Sequence, residues 1–186
     1  VAHDIARAHD QGLLEQLNGG IRYFDLRVTH RAGEFYVYHG LLGRPLTTVL
    51  SDIQAFMQRS EHEFITVGVS HLATGTSSGN KQAFLPEHHE RLMELLVNKL
   101  GPYLYPRNGR TVDELRATTL RQIVDDGPKV LLVYSDDYFW RRNAAENSPD
   151  IEPPMMMARR LRRREEGPGM VRNIPAHAVL SVVTVR

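Results

Sequence analysis

The stretch Ile21–Gly40, IRYFDLRVTHRAGEFYVYHG, decides the fold. Two apolar runs, Tyr23–Val28 and Phe35–His39, flank a polar turn containing Ala32-Gly33-Glu34, which is the pattern of a β-hairpin. Three polar groups interrupt the apolar runs. Asp25 and Arg27 lie two residues apart, so a strand places them on one face. His39 closes the second run, and the short turn returns it beside them. If that face is the inside of a barrel, two opposite charges are held together and partly desolvated. A buried ion pair is seldom a net gain over apolar residues, which weighs against a purely structural pair. A guanidinium can stabilise equatorial phosphate oxygens and an imidazole can protonate a leaving oxygen, so the trio suits phosphoryl chemistry.

Outward from the hairpin, strands alternate with helices. Asp10–Gly19 has a capping Asp10, an apolar face of Leu13, Leu14 and Leu17, and a Gly-Gly stop. Pro45–Ser60 carries Leu50, Ile53, Phe56 and Met57 at helical spacing. Glu63–His71, EFITVGVSH, is a nearly continuous β-branched run, as expected of a strand buried on both faces. Pro86–Leu100 is the clearest helix, with Pro86 early, acids in the first turn and Gly101-Pro102 after it. Val112–Val124 reads as another helix and Lys129–Ser135, KVLLVYS, as another buried strand. This order implies a parallel sheet with helices outside it, an α/β architecture. After Trp140 the pattern changes: three consecutive Met, two adjacent Pro and an Arg cluster precede one strand-like run, Ala176–Val185. Residues 1–140 are therefore read as one portion and 141–186 as an atypical, unassigned segment.

Composition excludes several classes. The 186 residues suffice for one core, and a net charge of +1 gives no global bias toward nucleic acid or membrane. The chain has no cysteine, hence no disulfide framework, thiolate metal site or cysteine nucleophile. No apolar run approaches the ~20 residues that cross a bilayer, and no signal peptide is visible at Val1. Weaker motifs favour ordinary explanations. Gly75–Lys81 lacks the Gly-Lys-Ser/Thr ending of a phosphate loop. In Glu87–Glu90, EHHE, adjacent histidines point about 100° apart on a helix, so a solvated helix start is expected rather than a metal site. The run Ala158–Arg164 reads as a solvated face or tail more readily than as a lipid or RNA site, and the His-Asp pairs at His3 and His9 as unanchored.

With these motifs in place, EQLNGGIRYFDLRV…EFYVYHG resembles the X-domain of phosphatidylinositol-specific phospholipases C, above all the X-domain-only proteins and their bacterial relatives. The resemblance runs from about Ile5 to Trp140, through PLTTVLSDIQAFMQRSEHEFITVGVSH and TVDELRATTLRQIVDDGPKVLLVYSDDYFW. It implies a distorted (β/α)8 barrel of TIM type, here partial, with its site at the carboxyl ends of the strands. It also implies cleavage of an inositol phospholipid: the inositol 2-hydroxyl attacks phosphorus and expels diacylglycerol, giving a cyclic inositol phosphate. By resemblance, Arg27 stabilises the phosphate, Asp25 orients the arginine and helps activate the nucleophile, and His39 protonates the leaving oxygen.

Calcium-dependent members carry acids at the positions of Asp25 and Arg27 and another on the next strand, at Val69. One carboxylate is too few for calcium, so the resemblance implies a metal-independent site with no cofactor, an inositol-lipid substrate met at a membrane surface, and no nucleic-acid partner. The compartment stays open, cytoplasmic or secreted. The family's first catalytic histidine belongs on a strand well upstream of Asp25, where His3 does not match. The expectation is that this general base is missing and that the chain is a fragment, a truncated gene model or a shifted frame. Two other readings stand beside it: a catalytically inactive headgroup-binding module, and a glycerophosphodiesterase-like barrel, which would need a Glu/Asp/His metal cluster.

Overall fold

The computed structural model describes residues 11–75, 80–105, 112–136 and 138. His3, His9, the cap expected at Asp10, the core of the Gly75–Lys81 loop, the Arg cluster and the strand expected at Ala176–Val185 lie outside them.

The hairpin forms as the sequence dictates. Strand β1 (Tyr23–Arg31) pairs antiparallel with β2 (Glu34–His39), from Val28↔Val37 to Arg31↔Glu34. The two-residue turn Ala32-Gly33 has positive φ at both positions, 50° and 85°, the backbone whose twist matches paired strands. β1 runs three residues beyond the expected end at Val28, because the ladder continues through Thr29 and His30. A strand not anticipated, β3 (Leu41–Pro45), returns along β2. Its sequence LLGRP is mostly exposed and ends in proline, which an edge strand tolerates.

Helix α1 (Leu13–Asn18) precedes β1, and α2 (Leu46–Met57) follows β3. The crossover through α2 delivers β4 (Phe64–Thr74) parallel to β1. A two-residue strand β5 (Gln82–Ala83) pairs with the end of β4. Helix α3 (Pro86–Leu100) has the expected bounds. The single helix expected over Val112–Val124 is instead two, α4 (Val112–Ala117) and α5 (Leu120–Ile123). Thr119 breaks it: Thr119 N donates to Gln122 Oε1 at 2.9 Å and Gln122 N donates to Thr119 Oγ1 at 3.3 Å, a capping box that starts a new helix. Strand β6 (Lys129–Tyr134) then pairs parallel with β4 on the side away from β1.

The sheet order is β3-β2-β1-β4-β6, with β5 added at the carboxyl end of β4. The described residues thus form an open mixed sheet with helices, the α/β architecture expected, and they do not close into a barrel. One face is apolar: Phe24, Leu26 and Val28 of β1, Ile65, Val67 and Val69 of β4, and Val130, Leu132 and Tyr134 of β6. It packs against Leu50, Ile53 and Met57 of α2 and Leu92, Met93, Leu96 and Leu100 of α3 in one core. Each such side chain contributes roughly 1.5–3 kcal/mol on burial. Arg22 ties α1 to this layer. Its guanidinium bonds Glu63 twice, at 2.7 and 2.8 Å, donates to Leu17 O at 2.6 Å and lies over the Phe56 ring.

On the opposite face, Phe64 at the amino end of β4 packs with Tyr105 and with Ile123 of α5, while the part that carries Thr66 and Ser70 stays more open. The expectation that β4 is buried on both sides therefore holds in full only for the side that faces α2 and α3. Thr66 and Ser70 on the other side are half-buried and Tyr23 across from Thr66 is 65% exposed.

Candidate functional site

Parallel α/β sheets place their sites at the carboxyl ends of the strands. On the more open part of the opposite face, the register sets Asp25 opposite Gly68 and Arg27 opposite Ser70. Asp25 and Arg27 do share this face, with Arg27 Nε 3.6 Å from Asp25 Oδ2. The pair is solvent-reached rather than desolvated, since the side chains are 42% and 37% exposed. That exposure follows from the open sheet: no described layer excludes water there.

Two residues not anticipated complete the cluster. Ser70 Oγ donates to Asp25 Oδ1 at 2.6 Å and lies 2.9 Å from His71 Nδ1. Neighbours in a regular strand point to opposite faces, so Ser70 and His71 need a local distortion to meet. The ladder supplies it. Arg27 pairs with Ser70 and Thr29 with Ala73, so β4 spends one more residue than β1 over the same interval. Within this bulge His71 takes a φ of 52°, left-handed and costly for a residue with a Cβ. Tyr38 Oη donates to His71 O at 2.7 Å and holds that backbone, and Lys81 Nζ stands 4.7 Å from the Tyr38 ring centre.

His39 ends β2 two residues past its last pairing with β1, at Val37, and returns toward the stretch that carries Asp25 and Arg27. Its side chain is exposed and makes no hydrogen bond or ion pair among the described residues. Val69, compared above with a metal-ligating acid, is fully buried on the helix side and does not reach this face.

The expected solvated start of α3 needs correction at His89. The residue is 4% exposed. The ring stacks on Tyr138 at 4.3 Å, and Nδ1 lies 2.8 Å from Tyr134 Oη. Burial pushes the Tyr134 hydroxyl far above its ordinary range, so it stays protonated. His88, next to it, packs on His30 instead, 4.5 Å between ring centres. The two adjacent histidines diverge, as helical geometry requires.

Comparison with known proteins decides the relationship. The chain is 32% identical over 129 residues to mouse PI-PLC X domain-containing protein 2, covering 67% of this chain and 34% of the relative. The chain is homologous to the PI-PLC X domain proteins. The human PI-PLC X domain-containing protein 2 is 30% identical over the same length, with 38% of it covered, so the chain spans about a third of these relatives. A variant-surface-glycoprotein phospholipase C of Trypanosoma cruzi is 38% identical over 77 residues, 39% of this chain and 20% of that protein. No protein-family model matches. Among solved structures, a mutant phosphatidylinositol-specific phospholipase C from Staphylococcus aureus superposes with a TM-score of 0.52 at 19% identity, over 69% of this chain and 40% of that one. This last likeness is one of fold. The X-domain homology and the fold of the described sheet agree on a phospholipase C type of α/β architecture.

Proposed function

We propose that this chain carries part of the active face of a phosphodiesterase that cleaves phosphatidylinositol-type lipids to diacylglycerol and a cyclic inositol phosphate without a metal ion. The observation that supports this reading is the placement of Asp25 and Arg27 on the more open face of the sheet, at the level of Ser70, in a chain homologous to PI-PLC X domain proteins.

The roles follow from the chemistry of each group. Arg27 is a fixed cation whose planar donors match phosphate oxygens, and its contribution grows as charge develops on them. Asp25, 3.6 Å away, orients that guanidinium. His39 is exposed on the neighbouring strand and gives a proton to the departing glycerol oxygen. Arg27 takes the electrostatic part that a divalent cation would otherwise play. A hard cation wants several oxygen ligands, and the Asp25 carboxylate on this face is already bonded by Ser70.

The test is incubation of the chain with phosphatidylinositol vesicles in EDTA, followed by phosphorus NMR. Cyclic inositol phosphate is expected, with Arg27→Ala lowering kcat about 10²–10³-fold, the range found when one donor to a developing oxyanion is removed. Activity that EDTA abolishes would refute the metal-free reading. Vesicle binding without turnover would leave a headgroup-binding module.

A further inference from the structure

We infer that Ser70 is a positioning residue of this site: its hydroxyl fixes the Asp25 carboxylate and, through it, the plane of the Arg27 guanidinium. The inference rests on the phosphodiesterase reading, in which that guanidinium meets the phosphate.

The contact between Asp25 and Arg27 does not hold itself. At 3.6 Å it is an ion pair longer than a hydrogen bond, and water reaches both side chains. Exposed pairs of this kind contribute little and restrain two side chains poorly. Electrostatic stabilisation of a transition state, however, depends on donors that are already aimed before charge develops. Something other than the pair must fix the carboxylate.

Ser70 supplies the restraint. The register sets it opposite Arg27 and on the diagonal from Asp25, while Gly68, directly opposite Asp25, presents no side chain. The Asp25 carboxylate reaches past that gap, and Ser70 Oγ donates to its Oδ1 at 2.6 Å. A hydrogen bond of this length to a charged acceptor is of the strong kind. Among the described residues it is the one hydrogen bond that the Asp25 side chain accepts. With Oδ1 held, Oδ2 is the oxygen left facing Arg27 Nε.

The hydroxyl is itself aimed. A serine has one hydroxyl hydrogen, and an ionised carboxylate can only accept. The Ser70 hydrogen goes to Asp25, so the 2.9 Å contact between Ser70 Oγ and His71 Nδ1 is filled by the hydrogen of the imidazole. His71 meets Ser70 because the bulge gives it a φ of 52°, and Tyr38 Oη holds its carbonyl at 2.7 Å. The costly backbone thus ends in a run of contacts from Tyr38 and His71 through Ser70 to Asp25 and Arg27. Strain kept in place by such contacts clusters at functional sites.

Threonine and valine have nearly the same shape and differ in the hydroxyl, so Ser70→Thr and Ser70→Val separate the hydrogen bond from the packing. With phosphatidylinositol vesicles in EDTA, Ser70→Val should lower kcat about 10–100-fold, the size of one hydrogen bond to a charged group, with KM little changed. Ser70→Thr should stand well above Ser70→Val. Added to Asp25→Asn, Ser70→Val should cost little more, because the two residues act as a unit. Nitrogen-15 relaxation of the Arg27 Nε–H should show it ordered in the unaltered chain and released in Ser70→Val. A residue that served packing alone would not move that signal. Equal kcat in the Thr and Val variants, full additivity with Asp25→Asn, or an Arg27 signal that Ser70→Val leaves unmoved would overturn the inference. Should Ser70→Val fail to fold, Ser70→Ala is read in its place by the same criteria. An unaltered chain that does not turn over sinks the phosphodiesterase reading, and the Arg27 signal then decides Ser70 alone: release in Ser70→Val keeps the positioning role, and no release removes it.

Discussion

A histidine near the end of β1 sets the acid sensitivity expected of this fold. His30 Nε2 is buried without a hydrogen-bond partner, beside Phe35 and His88. Burial lowers the His30 pKa from its ordinary 6.5, and the charges of His88 and Arg91 lower it further. The unfolded chain therefore binds a proton at His30 more readily than the folded one. Its contribution to stability is complete above 6.5 and is lost as pH falls below that value. His30→Phe keeps a flat ring and removes both the unpaired nitrogen and the titration. The variant should be more stable by about 1 kcal/mol, and its urea midpoint should drop less between pH 8 and pH 5. Equal drops in the two proteins would show that other groups dominate. The same scale shows what sequence made legible. Asp25 and Arg27 were visible because charges inside a strand break its pattern. Ser70 and His71 were not, because EFITVGVSH reads as one apolar run that simply ends. Its only signal is a polar dipeptide at the carboxyl end of a parallel strand, and its meaning depends on a bulge that no local pattern reports.

At the scale of elements, β3 escaped the sequence reading for a physical reason. An exposed edge strand with glycine and proline has neither alternation nor β-branched residues. Its pairing depends instead on close approach. A Cβ at Gly43 would stand 2.9 Å from Val37 O and 3.1 Å from Val37 Cγ2, where the β2–β3 register shifts. Gly43→Ala should push β3 off β2 at a cost of about 1–3 kcal/mol, the usual range for overpacking. Faster amide exchange in β3, with β1 unchanged, would show it; exchange unchanged in both strands would mean that Val37 yields. The longer elements were legible because their patterns are strong. Pro86–Leu100 has proline at its start and glycine after its end, and β4 and β6 are runs of branched apolar residues. The helix over Val112–Val124 was misread because the apolar period continues across Thr118-Thr119 while the hydrogen bonding does not.

For the whole molecule, β4 is the keystone. Among the described strands it alone pairs with two parallel neighbours along most of its length, and its Ile65, Val67 and Val69 are fully buried under α2 and α3. Amide protons in β4 should exchange most slowly of all the strands, close to the global limit, while those of β3 and β5 exchange fastest. A strand of β1 or β6 outlasting β4 would place the most stable unit elsewhere. The parallel order also sets how the chain can assemble as it is made. The β1–β2 hairpin, with its two-residue turn, needs only its own residues and closes within microseconds. β4 emerges later with one edge free for β1, and its other edge stays open until β5, α3, α4, α5 and finally β6 have been synthesised. During that interval a long strand with a fully buried apolar row presents an unpaired edge, the kind of surface that captures other chains. Yield of soluble protein should therefore depend on how quickly β6 follows, which makes the stretch between Pro86 and Lys129, remote from every proposed catalytic group, the place where slow synthesis does most harm.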